Sequence, residues 1–117
     1  MKKKKKQINL FDVVPCINEH IHTEKKGELS VIAFPRFKNA FMQRWFVPKH
    51  KSKELHIDLD IHGTAVWDLI DGKRSVQDIV DLLADHFEHQ ENYEYRVSTF
   101  VTQLQMNDFI SYLVPKE

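Results

Sequence analysis

At 117 residues, 42% of them hydrophobic and 13 aromatic (8 Phe, 3 Tyr, 2 Trp), the chain can build one modest core but not two. Seventeen basic residues balance 17 acidic ones, so net charge points to neither a nucleic acid nor an acidic partner. A single cysteine, Cys16, excludes an internal disulfide, and no segment reaches the roughly 18 consecutive apolar residues of a membrane span, so the chain reads as a soluble cytoplasmic protein.

Lys2 to Lys6 is an unbroken basic run. The stretch behind it, "QINLFDVVPCINEH", lacks the apolar core of a signal peptide, so residues 1–12 read as a flexible basic arm and 13–117 as a single domain. Val13 to Thr23 shows apolar alternation, "EKKGE" is turn-like with Gly27 able to take positive φ, and Leu29 to Phe34 is rich in β-formers. These features predict a β-hairpin. In "PRFKNAFMQRWFVPKHKSK", Phe37, Phe41 and Trp45 recur at helical spacing between basic residues, and Pro35 and Pro48 limit any helix to a short one. The aromatics of Phe34 to Lys49 are expected to cover a sheet or to make a homodimer contact, with the basic residues in water.

Glu54 to Ile61 alternates strictly, which predicts a strand burying Leu55, Ile57, Leu59 and Ile61 and wetting Glu54, His56, Asp58 and Asp60. Three helices are expected next. The first, about Ile61 to Ile70, buries Val66, Trp67 and Ile70; Asp60 is placed to cap its start and Gly72 its end. Ser75 opens the second with a capping-box arrangement in which Asp replaces Glu, and its apolar face is Val76, Ile79, Val80, Leu83 and Phe87. The third, about Glu94 to Met106, carries Val97, Phe100, Val101 and Leu104. "DFISYL" closes as a short extended piece. The class is α+β, winged helix-turn-helix-like, with N-terminal antiparallel strands followed by a three-helix bundle.

Trp67, Leu69, Asp71, Gly72, Arg74, Ser75, Val76, Ile79, Leu83, Phe100, Leu104, Phe109 and Ile110 resemble the pattern of the PQQ-biosynthesis protein D family over roughly residues 54–113. The chain departs from it in "DIHGTA" before the first helix and in the long segment from Pro35 to Lys53. The resemblance implies a winged-helix peptide-recognition domain without chemistry of its own. Such a domain binds the leader of a ribosomally made precursor peptide and presents it to a modifying enzyme, often a radical S-adenosylmethionine protein. In related domains the leader lies along a sheet edge beside the third helix, which here implicates Leu55, Ile57 and Leu59 on the strand and the stripe Arg96, Phe100, Gln103 and Asn107 on the helix. A proline at Ile57 is expected to remove a ladder donor and weaken the complex.

The rival readings are weaker. An adaptor docking a larger protein without a leader is the second choice. The third helix has one Arg, no Lys and flanking acids, a poor fit to a DNA backbone, so no nucleic acid is expected. Cys16, His20 and His22 give C-x3-H-x-H, with His56 able to approach from a neighbouring strand, but no recognised zinc spacing is present and no metal is expected. Asp58, Asp60 and Asp68 are candidate acids, yet there is no nucleotide fingerprint. Cys16 and His20 would stand roughly 13 Å apart along a strand, so neither catalysis nor a cofactor is expected.

Overall fold

The computed structural model describes residues 9–35 and 54–113. Residues 1–8 of the basic arm and the Phe37, Phe41 and Trp45 cluster lie outside them, while Leu10–Asp12, expected to be part of the flexible arm, form a short 3-10 helix capped by Asn9. The described residues are α+β and fall into two compact units, one of residues 18–35 and 54–68, the other of residues 9–17 and 69–113.

The first unit holds β2 (His22–Lys26), β3 (Leu29–Pro35), β4 (Glu54–Asp58) and α1 (Ile61–Trp67), with the strands in antiparallel order β2-β3-β4. The hairpin is β2-β3, and its turn is shorter than "EKKGE": Lys26 pairs with Leu29, leaving Gly27 and Glu28 as the loop. Gly27 has φ 67°, as a two-residue II′ hairpin turn requires of its first residue. The expected first arm, Val13 to Thr23, therefore divides. Its end enters β2, while β1 (Val14–Ile17) pairs with the C-terminal β5 (Ile110–Leu113) in the second unit.

Ile32, Ala33, Leu59, Val66 and Trp67 are buried in the first unit. A polar network ties α1 to the hairpin. Ser30 N–H donates to Thr64 Oγ1 (2.9 Å), Ser30 Oγ to Asp68 Oδ1 (2.7 Å), and Lys25 Nζ to both Ser30 Oγ (2.9 Å) and Asp68 Oδ2 (3.0 Å). Trp67 Nε1 donates to Thr23 Oγ1 (2.9 Å), which satisfies the indole in a side chain only 1% exposed. Asp60 caps α1 as expected, accepting from Gly63 N–H at 2.7 Å. A Cβ at Gly63 would lie 3.3 Å from that carboxylate, so the departure at "DIHGTA" lets the cap close.

In the second unit, α2 (Val76–Leu82) starts in the expected capping box: Asp78 N–H donates to Ser75 Oγ (3.0 Å) and Ser75 N–H to Asp78 Oδ2 (3.0 Å). The chain reverses after Phe87 through Glu88 and His89, both left-handed (φ 56° and 53°), and α3 (Tyr93–Met106) follows. Buried here are Val13, Val76, Ile79, Val80, Leu83, Phe87, Tyr93, Val97, Val101, Leu104, Phe109 and Ile110. Tyr93 stacks on Phe87 (centroids 5.6 Å apart) and donates its hydroxyl proton to Val80 O (3.0 Å). The end of α3 is a Schellman motif built without glycine. Asp108 takes φ 67°, its N–H reaches Gln105 O (3.0 Å), and Phe109 N–H reaches Leu104 O (3.0 Å).

Gly72 does not end a helix. Helix α1 stops at Trp67, and Gly72 (φ 77°) lies further on, its N–H donating to Pro15 O at 3.1 Å. Asp71 shapes that turn by accepting at Oδ1 from the N–H groups of Lys73 and Arg74, both at 2.8 Å.

Candidate functional site

Strand β4 has one neighbour among the described residues, β3, so its far side is a sheet edge. The registers are Phe34↔Leu55, Ala33↔His56, Ile32↔Ile57 and Val31↔Asp58, and the ladder extends to a bond from Leu59 N–H to Ser30 O (3.0 Å). Antiparallel pairs alternate between hydrogen-bonded and non-bonded. Leu59, Ile57 and Leu55 therefore turn their N–H and C=O groups toward β3, while His56 and Asp58 turn theirs outward. This parity corrects the expected role of the Ile57 N–H: it serves the β3 ladder, and the outward donors belong to His56 and Asp58.

The alternation of side chains holds, but the burial expected of it does not. Leu55 and Ile57 are each 38% exposed, and Ile61 is 62% exposed on α1; only Leu59 is buried, at 7%. The same strand thus offers two open apolar side chains on one face and, at its edge, backbone groups without a strand partner among the described residues. Edges of this kind accept an added strand.

The α3 residues singled out in sequence divide by task. Arg96 holds its guanidinium 5.3 Å from the Phe87 ring centroid, and its Nη1 lies 3.5 Å from Gln90 Oε1. Phe100 is half-buried beside the apolar stripe. Asn107 is the C-cap of the helix, its Nδ2 donating to Gln103 O at 2.8 Å. Gln103 alone of the four also lines a shallow groove of about 390 Å³ with Tyr95, Ser98, Thr99, Thr102 and Met106. At 100° per residue this groove lies roughly opposite the buried stripe of Val97, Val101 and Leu104. Tyr95 and Met106 are 70% and 75% exposed, an aromatic ring and a flexible thioether on a face that burial does not require. Their signal in the sequence was large apolar residues out of phase with the core stripe.

The candidate acids all serve structure. Asp60 is a helix cap, Asp68 anchors the Ser30–Lys25 network, and Asp58 Oδ2 meets Lys26 Nζ at 3.1 Å. Asp71 has its carboxyl held below the usual range, first by the Arg74 and then by the Lys73 backbone N–H. Cys16 is a free, partly buried thiol. Among the described residues, no helix is long and apolar enough to cross a membrane.

Residues 53–110 match the family model described as Coenzyme PQQ synthesis protein D (PqqD). This segment belongs to the PqqD family. A search of the curated proteins gives no match, and a search of the solved structures gives none. Much of the PqqD pattern is turn and core chemistry here. Arg74 Nη1 donates to Leu69 O (3.1 Å) and approaches Asp71 Oδ2 (3.4 Å), Gly72 supplies the left-handed residue, and Ser75 starts α2. Val76, Ile79, Leu83, Leu104, Phe109 and Ile110 are buried. The PqqD match spans β4 and α3, the two elements that carry the open edge and the exposed groove.

Proposed function

We propose that this PqqD-family chain is a non-catalytic peptide-binding protein of winged-helix type. It takes the leader of a ribosomally made precursor peptide as an added strand on β4 and holds it for a modifying enzyme, a radical S-adenosylmethionine protein in the first instance. The observation that carries this reading is the edge of β4, where outward backbone groups at His56 and Asp58 adjoin the exposed side chains of Leu55 and Ile57. Leu59 supports the edge from the core. Arg96, Phe100, Gln103 and Asn107 are a second proposed set of contacts, to which the exposure of Tyr95 and Met106 adds two anchors.

A proline at Asp58 deletes an outward donor and spares the β3 ladder, whereas Asp58→Ala keeps the N–H and removes only the exposed Lys26 ion pair. Immobilised wild type, Asp58→Ala and Asp58→Pro are each exposed to native lysate, and bound peptides and proteins are read separately by mass spectrometry. One short gene-encoded peptide is expected on the first two, depleted at least about fivefold on the third, the worth of one net hydrogen bond of about 1 kcal/mol. Capture of that peptide equally by all three would sink the added-strand mechanism. Retention of a large protein alone would favour the adaptor.

A further inference from the structure

The face of the three-stranded sheet that carries Ala33 and Val31 also carries His22 and Glu24 from β2 and Glu54 and His56 from β4. Ala33 pairs with His22 on one side and His56 on the other, so the two histidines stand two strand spacings apart, about 9.5 Å at the backbone. The methyl group between them leaves room for side chains to lean inward from both strands. They cross: His22 Nε2 lies 3.5 Å from Glu54 Oε2, and His56 Nε2 lies 3.5 Å from Glu24 Oε1 and 4.0 Å from Glu54 Oε1. Glu24, Glu54 and His56 each bring a donor atom within 4.8 Å of the others.

We propose that Glu24, Glu54 and His56 form a binding site for a divalent transition metal of the zinc class, with water completing the shell and His22 holding Glu54 from the far strand. A charge-assisted N–H to carboxylate bond closes at about 2.7–2.9 Å, shorter than either cross-strand pair. Two ligands on one tetrahedral zinc, with bonds of about 2.0–2.2 Å, stand about 3.3–3.6 Å apart; the 3.5 Å His56–Glu24 pair matches this, and Glu54, 4.0 Å from His56, has to close by a few tenths of an ångström on the ion. An imidazole and two carboxylates are hard-to-borderline donors that suit zinc over calcium or magnesium, which prefer oxygen alone. The four side chains are 36% to 62% exposed, so an ion can enter from solvent. Among the described residues, Lys26 on the same face pairs with Asp58 at 3.1 Å. Linear spacing hides the site because its members come from two strands that are neighbours only through β3. Such an ion would clamp β2 to β4, on a sheet whose edge carries the proposed peptide contact, yet the site stands or falls independently of that function.

The test is titration of the full chain, stripped with chelator, by Zn2+ in a calorimeter and by Co2+ in visible absorption. One Zn2+ per chain and a tetrahedral Co2+ spectrum are expected. Second-layer changes around metals already cost about 10–100-fold, so loss of a ligand in His56→Gln or Glu24→Gln should weaken binding at least a hundredfold. His89→Gln, in the other unit beside Asp85, should leave it unchanged. Far-UV circular dichroism establishes that each variant is folded. Absence of saturable binding at millimolar Zn2+, or binding that survives both ligand substitutions, would overturn the proposal.

Discussion

The N–H of Ser30 faces the β4 side of β3, but the ladder ends with the bond from Leu59 N–H to Ser30 O, and no strand carbonyl takes the Ser30 N–H. The hydroxyl of Thr64, one turn into α1, takes its place at 2.9 Å in a buried setting, Ser30 being 0% exposed and Thr64 7%. Thr64→Val replaces that oxygen with a methyl group of nearly the same volume and strands the amide. An orphaned buried donor costs about 1–3 kcal/mol, which lowers the folded-to-unfolded ratio roughly 5- to 150-fold. For a chain of this size each kcal/mol moves the melting point by about 3–6 °C, so Tm should fall by about 3–18 °C. Thermal denaturation followed by circular dichroism gives the shift, and amide exchange at Ser30 should lose protection. Thr64→Ser keeps the acceptor and should retain most of that protection. A Thr64→Val change below about 0.5 kcal/mol, with Ser30 still protected, would refute the reasoning, because the amide would then have another partner.

Two further predictions follow from backbone and burial. Nothing lies within 4 Å of a Cβ at Gly27, so Gly27→Ala meets only the left-handed backbone penalty and should cost about 1 kcal/mol in urea denaturation. Burial raises the Tyr93 hydroxyl above its ordinary value of 10.0. The unfolded chain therefore loses this proton first, and the contribution is intact below about pH 10 and lost as pH climbs through the folded value. Phenolate absorbance should show Tyr93 titrating late, and Tyr93→Phe should flatten the alkaline fall in stability. Tyr112 is also raised, chiefly by burial, and leaves a residual slope of the same sign.

Local chemistry was legible wherever neighbours along the chain sufficed. Ser75 with Asp78 closes a box across three residues, Asp60 caps Gly63 at the same spacing, and the stripe Val97, Val101 and Leu104 is buried as its period requires. The end of α3 was less visible, because Asp108 adopts the left-handed role usually given to glycine. Gly72 misled in the opposite sense: its positive φ was foreseeable, but the bond to Pro15 O that it serves is remote in sequence.

The sequence by itself determined which segments are strands and helices, where most of them begin, and which faces of α2 and α3 are apolar, since propensity, capping and periodicity act within a few residues. Pairing belonged to the tertiary structure. Whether Val14–Ile17 joins β3 or β5, and whether Leu55 and Ile57 are covered or open, depends on long-range contacts that alternation leaves degenerate. The same holds for which way each β4 amide points and for the meeting of His22, Glu24, Glu54 and His56. A strand specifies its two faces by period two, but only its partner specifies register, and register decides which groups face the open edge and which side chains meet across the sheet.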